Sequence, residues 1–316
     1  MKILQLFKTK KIEPNSVLEF QGHPESKRLV ELMRKGNWFE LEESLSKLTN
    51  DELYPILSGL AEFATDWDEI PDIPERGMLA LLKCYIQVID AWISRSDKTA
   101  DEVSEAQFDA FFEKLSVLEK MIDNYRKNNK TCPLIFVPVF KMAMGQGYEI
   151  NELYQLFIKY TRSTEEHLAA HISMAYSLTE QWGGSHIELF SFCRTSAKTN
   201  PRLLALIPYA HFMRWFYNQG WEEESEEKTY FLKDSVQAEL AAAFEVYMTQ
   251  DIGAYEKRLG VNFFAFCFAK GSSNQNLRNS LKYINRSVLQ TPWSYDYYDV
   301  VEGVNELRQY CKLPKI

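Results

Sequence analysis

From residue 25 onward, apolar residues recur every three or four positions and strictly alternating runs are scarce. That period belongs to helices with one buried stripe, so it limits the chain to helix packed on helix. Residues 135–140 alone could pass for a strand, and Pro133 and Pro138, which cannot donate to a sheet ladder, argue against it. Residues 25–35 read as a helix stopped by Gly36, and 38–48 carries Trp38, Leu41, Leu45 and Leu48 along one face. Asn50 or Asp51 is the expected cap of 52–64. Three helices of about a dozen residues joined by short turns already form a helical stack.

The pattern continues beyond an acidic loop, 66–74, which contains two prolines and precedes a long apolar helix at 78–93. Asp66 and Asp68 alternate as in a calcium loop, but the turn glycine is missing and the twelfth position is Gly77 instead of a bidentate glutamate. A helix at 102–127 carries Phe108, Phe111, Phe112, Leu115, Leu118 and Ile122 as a broad apolar face. Further helices are expected at 138–144, 149–160, 164–181, 185–198, 202–217, 235–249, 255–269, 275–287 and 299–310. The predicted fold class is all-α: stacked antiparallel helix pairs in a tetratricopeptide-like α-solenoid, without a repeat of fixed period. The predicted organisation is an N-terminal extension, 1–24, a helical subdomain, 25–130, and a helical-repeat subdomain, 131–316.

Charge and cysteines narrow the function classes. The 36 basic and 44 acidic residues leave a net charge of -8, and no dense basic cluster follows the short Lys8, Lys10, Lys11 group. Nucleic acid is therefore not an expected partner, because phosphate binding needs a concentrated basic face. Residues 221–228 contain five glutamates, Glu222, Glu223, Glu224, Glu226 and Glu227, which favour a basic protein or peptide. The five cysteines lie far apart with no CxxC pair, so neither a disulfide framework nor a thiolate zinc site is expected, and a reducing compartment fits. The apolar start is too short for a secretion signal and no window reads as a membrane span, so the expected location is cytoplasmic and no membrane partner is expected.

Chemistry-bearing residues concentrate around Trp182-Gly183-Gly184-Ser185-His186-Ile187-Glu188-Leu189-Phe190. A Walker loop would need a following Lys-Ser/Thr and a dinucleotide fingerprint a preceding strand; neither is present. The simpler reading is a helix stop, with Gly183 or Gly184 left-handed, joined to a helix start in which Ser185 and Glu188 form a capping box. A small anion at the Ser185 helix start is a further option. His167 and His171 share a helix face at i, i+4 and can ligate one metal with His186 or His211, yet no glutamate follows His167 as a zinc protease would need. Ser185 lies outside a G-x-S-x-G elbow, and Cys193 beside Phe190 and Phe192 reads as a buried thiol. Tyr295, Tyr297 and Tyr298 fall in a polar connector after Pro292 and read either as an exposed contact site or as rings that cap the terminal helix.

Residues 164–215, TEEHLAAHISMAYSLTEQWGGSHIELFSFCRTSAKTNPRLLALIPYAHFMRW, and 262–293, NFFAFCFAKGSSNQNLRNSLKYINRSVLQTPW, resemble an uncharacterised bacterial family of tetratricopeptide-like helical proteins, a domain of unknown function. The W-G-G-S turn before a Phe-rich helix carries the resemblance, as does the later order of helix, small-residue loop, helix and Trp; it covers about residues 20 to 300. It implies the fold and supplies no catalytic residues. The expected function is that of an interaction protein that binds a protein or peptide, with an immunity protein masking a basic partner as a special case and no cofactor. The competing expectation is a metal-dependent or hydrolytic enzyme built on His167, His171 and His186.

Overall fold

A computed structural model describes residues 19–67, 72–96, 98–128, 132–221, 229–271 and 274–316. These contain fourteen α-helices, short 3-10 turns and no strand. They fall into two compact units, one of Gly22–Ser177 and one of Leu178–Ile316 together with residues 19–21. The division lies between Ser177 and Leu178, where the sequence pattern placed it near residue 130.

The first unit holds α1 (Ser26–Arg34), α2 (Trp38–Leu45), α3 (Asn50–Thr65), α4 (Gly77–Arg95), α5 (Glu105–Asn128), α6 (Phe136–Gly145), α7 (Ile150–Ser163) and α8 (Leu168–Ser177). Helix α4 is its centre, with α2, α3, α5 and α6 packed around it. It is long and apolar enough to cross a membrane, against the reading that no window is; 61% of its apolar window is buried inside the unit, so its composition is that of a central core helix. Its first amides have no cap from Arg76. Glu42 of α2 supplies one instead, accepting from Met78 N at 3.0 Å and Leu79 N at 2.9 Å. At α3 the cap is Thr49, one residue before the expected Asn50 or Asp51; its Oγ1 accepts from Glu52 N at 3.3 Å while the Glu52 carboxylate accepts from Thr49 N at 3.0 Å. The strand-like stretch at 135–140 is helical. Pro133 opens a 3-10 turn and Pro138 lies in the first turn of α6, where a missing N–H costs nothing.

The second unit holds α9 (His186–Thr199), α10 (Leu206–Trp221), α11 (Asp234–Thr249), α12 (Ala254–Lys270), α13 (Asn274–Ile284) and α14 (Val300–Tyr310). Residues Val261 to Phe268 of α12 are all buried, so over these two turns the helix has no solvent face. Helices α10, α11 and α13 pack around it, and α9 packs on α10. Phe212 and Trp215 of α10 meet Phe266 of α12 at ring distances of 5.5 and 5.1 Å. Both units are thus successions of helices packed on sequence neighbours, the pattern of an all-α helical-repeat fold.

Candidate functional site

The W-G-G-S turn sets the start of α9. Gly183 is left-handed, at φ 85° and ψ 3°, and closes the 3-10 turn Glu180–Trp182. Ser185 N donates to Leu178 O at 3.1 Å, so the reciprocal box is only half formed. Ser185 Oγ accepts from Glu188 N at 3.2 Å and donates to Glu188 Oε2 at 2.9 Å, which commits both side chains to the helix start. The turn aims His186, Ile187, Phe190, Ser191 and Arg194 along one face of α9, at helical spacing. That face forms one wall of a pocket of about 510 Å³, completed by His211 of α10, by Tyr230 and by Ser235, Val236 and Glu239 of α11.

Four of these side chains form one network. Arg194 places Nε and Nη2 on Glu239 Oε1 and Oε2, both at 2.7 Å, a bidentate pair that ties α9 to α11. His211 Nε2 lies 3.2 Å from Glu239 Oε2, and its Nδ1 lies 2.7 Å from Tyr230 Oη. The Phe190 ring stands edge-on to His211 at 4.9 Å and under the Arg194 guanidinium at 4.8 Å. Hydrogen bonds from His211 and then Arg194 hold the Glu239 carboxyl down at about 2. Burial pushes His211 below its ordinary value, against the pull of Glu239, and pushes the Tyr230 phenol up. At neutral pH the network therefore holds an ionised carboxylate, a neutral imidazole and a neutral phenol. The site combines an apolar wall with an oriented Glu-His-Tyr relay, the common composition of a ligand pocket.

The histidines anticipated as metal ligands have other partners. His167 precedes α8 and caps it, accepting from Ala169 N at Nδ1 at 3.2 Å. His171 is buried, with Nδ1 3.1 Å from His167 O, Nε2 3.1 Å from Glu166 Oε2, and its ring edge-on to Phe157 and Tyr160. His186 packs edge-on to Tyr217 at 5.1 Å, with Nε2 3.4 Å from Glu180 Oε1. Among the described residues no group of three His, Cys, Asp or Glu is placed to hold a metal ion. Cys193 is buried, and burial raises its thiol above the ordinary range.

Of the two readings of the tyrosine group, the exposed contact site does not hold for Tyr295, and the Tyr297 ring lies against the terminal helix at Gly303. Tyr295 is buried, edge-on to Phe212 at 5.2 Å and Phe216 at 4.9 Å, because the connector folds back onto α10. Tyr297 lies against Gly303 and near Trp293, and only Tyr298 stays exposed, at 93%. The acidic run Glu222, Glu223, Glu224, Glu226, Glu227 lies outside the described residues, as do Lys8, Lys10 and Lys11.

Sequence reading singled out Ser185 and His186 but missed Arg194, Tyr230 and Glu239. Phe190 and Arg194 fall on the His186 face of α9, a signal available at helical spacing. Tyr230 and Glu239 join only through the packing of α11, 36 and 45 residues from Arg194, and no local pattern marks that. Sequence reading also passed over Glu62 of α3 and Lys141 of α6, which burial drives toward their neutral forms, to about 7 and about 8. Comparison with protein families, curated proteins and solved structures finds no match, so the resemblance to tetratricopeptide-like proteins rests on the sequence motifs alone.

Proposed function

We propose that this chain is a peptide-binding interaction protein of tetratricopeptide-like stacking, and that its binding site is the pocket between α9, α10 and α11. The observation that carries the reading is Ile187: it is 82% exposed, at the edge of a pocket that also presents Phe190 and Val236. A residue of that size, left in water beside other apolar groups and an oriented polar network, is what a bound segment covers. The partner is basic overall, because the chain carries a net charge of -8 and its densest acidic run ends three residues before Tyr230 in the sequence. Masking of a basic protein, as an immunity protein does, is one form this takes. The enzymatic alternative on His167, His171 and His186 has less support, since His167 caps α8 and no three-ligand group is present among the described residues.

A peptide library selected on the purified chain tests the reading. Selected peptides are expected to carry basic residues and to lose affinity with salt. Covering Ile187 is worth about 1.5–3 kcal/mol, so Ile187→Glu is expected to weaken them by about tenfold or more. The same variant leaves the melting temperature within a degree or two of wild type, because the side chain supports no core contact. No selected binder, or binders indifferent to Ile187→Glu, would overturn the proposal.

A further inference from the structure

Resting on the peptide-binding reading, we infer that Tyr230 is the specificity-determining residue of the pocket, accepting a hydrogen bond from an apolar ring tipped with an N–H donor, the indole of a tryptophan in the bound peptide. Glu239 fixes the proton positions in the network. Its ionised carboxylate has no proton to donate, so the hydrogen on the 3.2 Å contact belongs to His211 Nε2. In the neutral imidazole Nδ1 then bears the lone pair, and the 2.7 Å contact is filled by the single Tyr230 hydroxyl proton. Tyr230 oxygen has only lone pairs left for a ligand. Two of the Arg194 N–H groups are spent on Glu239, and Ile187, Phe190 and Val236 supply the apolar walls.

The charges nearby select a neutral donor over a cationic one. Lys233 Nζ stands 5.6 Å from the Tyr230 ring centre, Arg194 borders the pocket, and Arg214 also acts on the Tyr230 phenol. The one carboxylate among the lining residues, Glu239, is already engaged by Arg194 at both oxygens and by His211 at Oε2. An ammonium at Tyr230 would meet Lys233, and among the lining residues the charge of Glu239 is already balanced by Arg194, whereas an indole N–H meets a free acceptor and needs no counter-charge. The basic character proposed for the partner therefore belongs to residues outside this pocket.

His211 positions Tyr230 and makes the selection depend on protonation. The charged groups facing His211 are Glu239 of α11 and Arg194 of α9; Tyr230, Lys233, Arg214 of α10 and the Cys267 thiol of α12 are the other titratable groups around the His211 and Tyr230 pair among the described residues. Once protonated, His211 donates from both nitrogens: Tyr230 must accept from Nδ1, and its own O–H turns outward. The pocket then presents a donor where it presented an acceptor.

Binding of indole and of 1-methylindole to the full chain, followed by nuclear magnetic resonance, tests the inference. At neutral pH indole is expected to bind about five- to tenfold tighter than 1-methylindole, the ratio of one net hydrogen bond. The preference is expected to vanish in Tyr230→Phe, and in wild type to vanish as the His211 imidazole resonance titrates. Equal affinities in wild type at neutral pH, or a preference kept through the His211 titration, would overturn it; the wild-type series needs no variant to fold. If neither indole binds while selected peptides do, this inference falls and the peptide-binding reading stands. If selected peptides are also lacking, both fall.

Discussion

Gly183 and Gly184 adjoin in the turn that launches α9, but they are held for different reasons. Gly183 sits at φ +85°, with open space where a side chain would project. A Cβ on Gly184 would lie 2.0 Å from the carbonyl oxygen of Leu178, the same oxygen that accepts from Ser185 N. Left-handed strain costs an L-residue about 1–2 kcal/mol, and asparagine less, whereas a clash with backbone requires the turn itself to move. Gly183→Asn is therefore expected to be nearly neutral, Gly183→Ala to cost about 1 kcal/mol, and Gly184→Ala to cost clearly more, read from denaturant midpoints at constant slope. Equal costs at the two positions would contradict this account. The Gly-Gly pair was legible as a stop, because glycine before a Ser-x-x-Glu pattern is a local signal, but what Gly183 closes is a 3-10 turn, the α-helix expected over 164–181 having ended at Ser177. Which glycine takes the left-handed role was not, since that depends on where Leu178 comes to lie.

Helix type was legible for nearly every element, because one apolar stripe at helical spacing survives any arrangement of neighbours. What the elements use to meet one another was not, and Asn262 of α12 is the clearest case. It is fully buried, in the two turns of that helix with no solvent face, where its neighbours read simply as core. Its side chain donates to Arg258 O at 2.9 Å and Ser287 O at 3.1 Å, and accepts from Leu289 N at 3.2 Å and Trp293 Nε1 at 2.9 Å. One amide thus satisfies the backbone of the connector after α13 and orients a buried tryptophan. Asn262→Ala would leave two buried N–H donors without an acceptor, at about 1–3 kcal/mol each. A loss of about 2–5 kcal/mol in unfolding free energy is expected, while Asn279→Ala, an exposed position on α13, is expected to change it by less than about 0.5 kcal/mol. A small effect at Asn262 would mean that the connector finds other acceptors. Glu42, which caps α4 from α2, is equally silent in sequence, since the amides it serves lie 36 and 37 positions away.

Over the described residues, the candidate site and Glu62 of α3 impose opposite dependences on pH. His211 has a folded value depressed below 6.5 by burial, so the folded state binds fewer protons than the unfolded chain. Its contribution is fully present above about 6.5 and is lost as pH falls toward the depressed value. His23, also depressed by burial, acts in the same direction. Glu239, held at about 2 against an ordinary 4.5, contributes above 4.5 and loses that contribution as pH falls through its folded value. Glu62, raised to about 7, has the reverse sign: its contribution is present below 4.5 and is lost as pH rises through about 7. Glu62 therefore offsets His211 in the same mildly acidic window, and a wild-type profile alone can look flat there. The difference profile separates them. Subtracting the stability of His211→Gln from that of wild type, measured by urea unfolding at successive pH values, is expected to give a curve that falls from about pH 6.5 downward. The corresponding difference for Glu62→Gln is expected to fall from about pH 4.5 upward. A flat His211 difference would show that burial does not shift the imidazole, and one that rises on acidification would show that the fold favours the charged imidazole, which leaves the Tyr230 hydroxyl no acceptor at Nδ1.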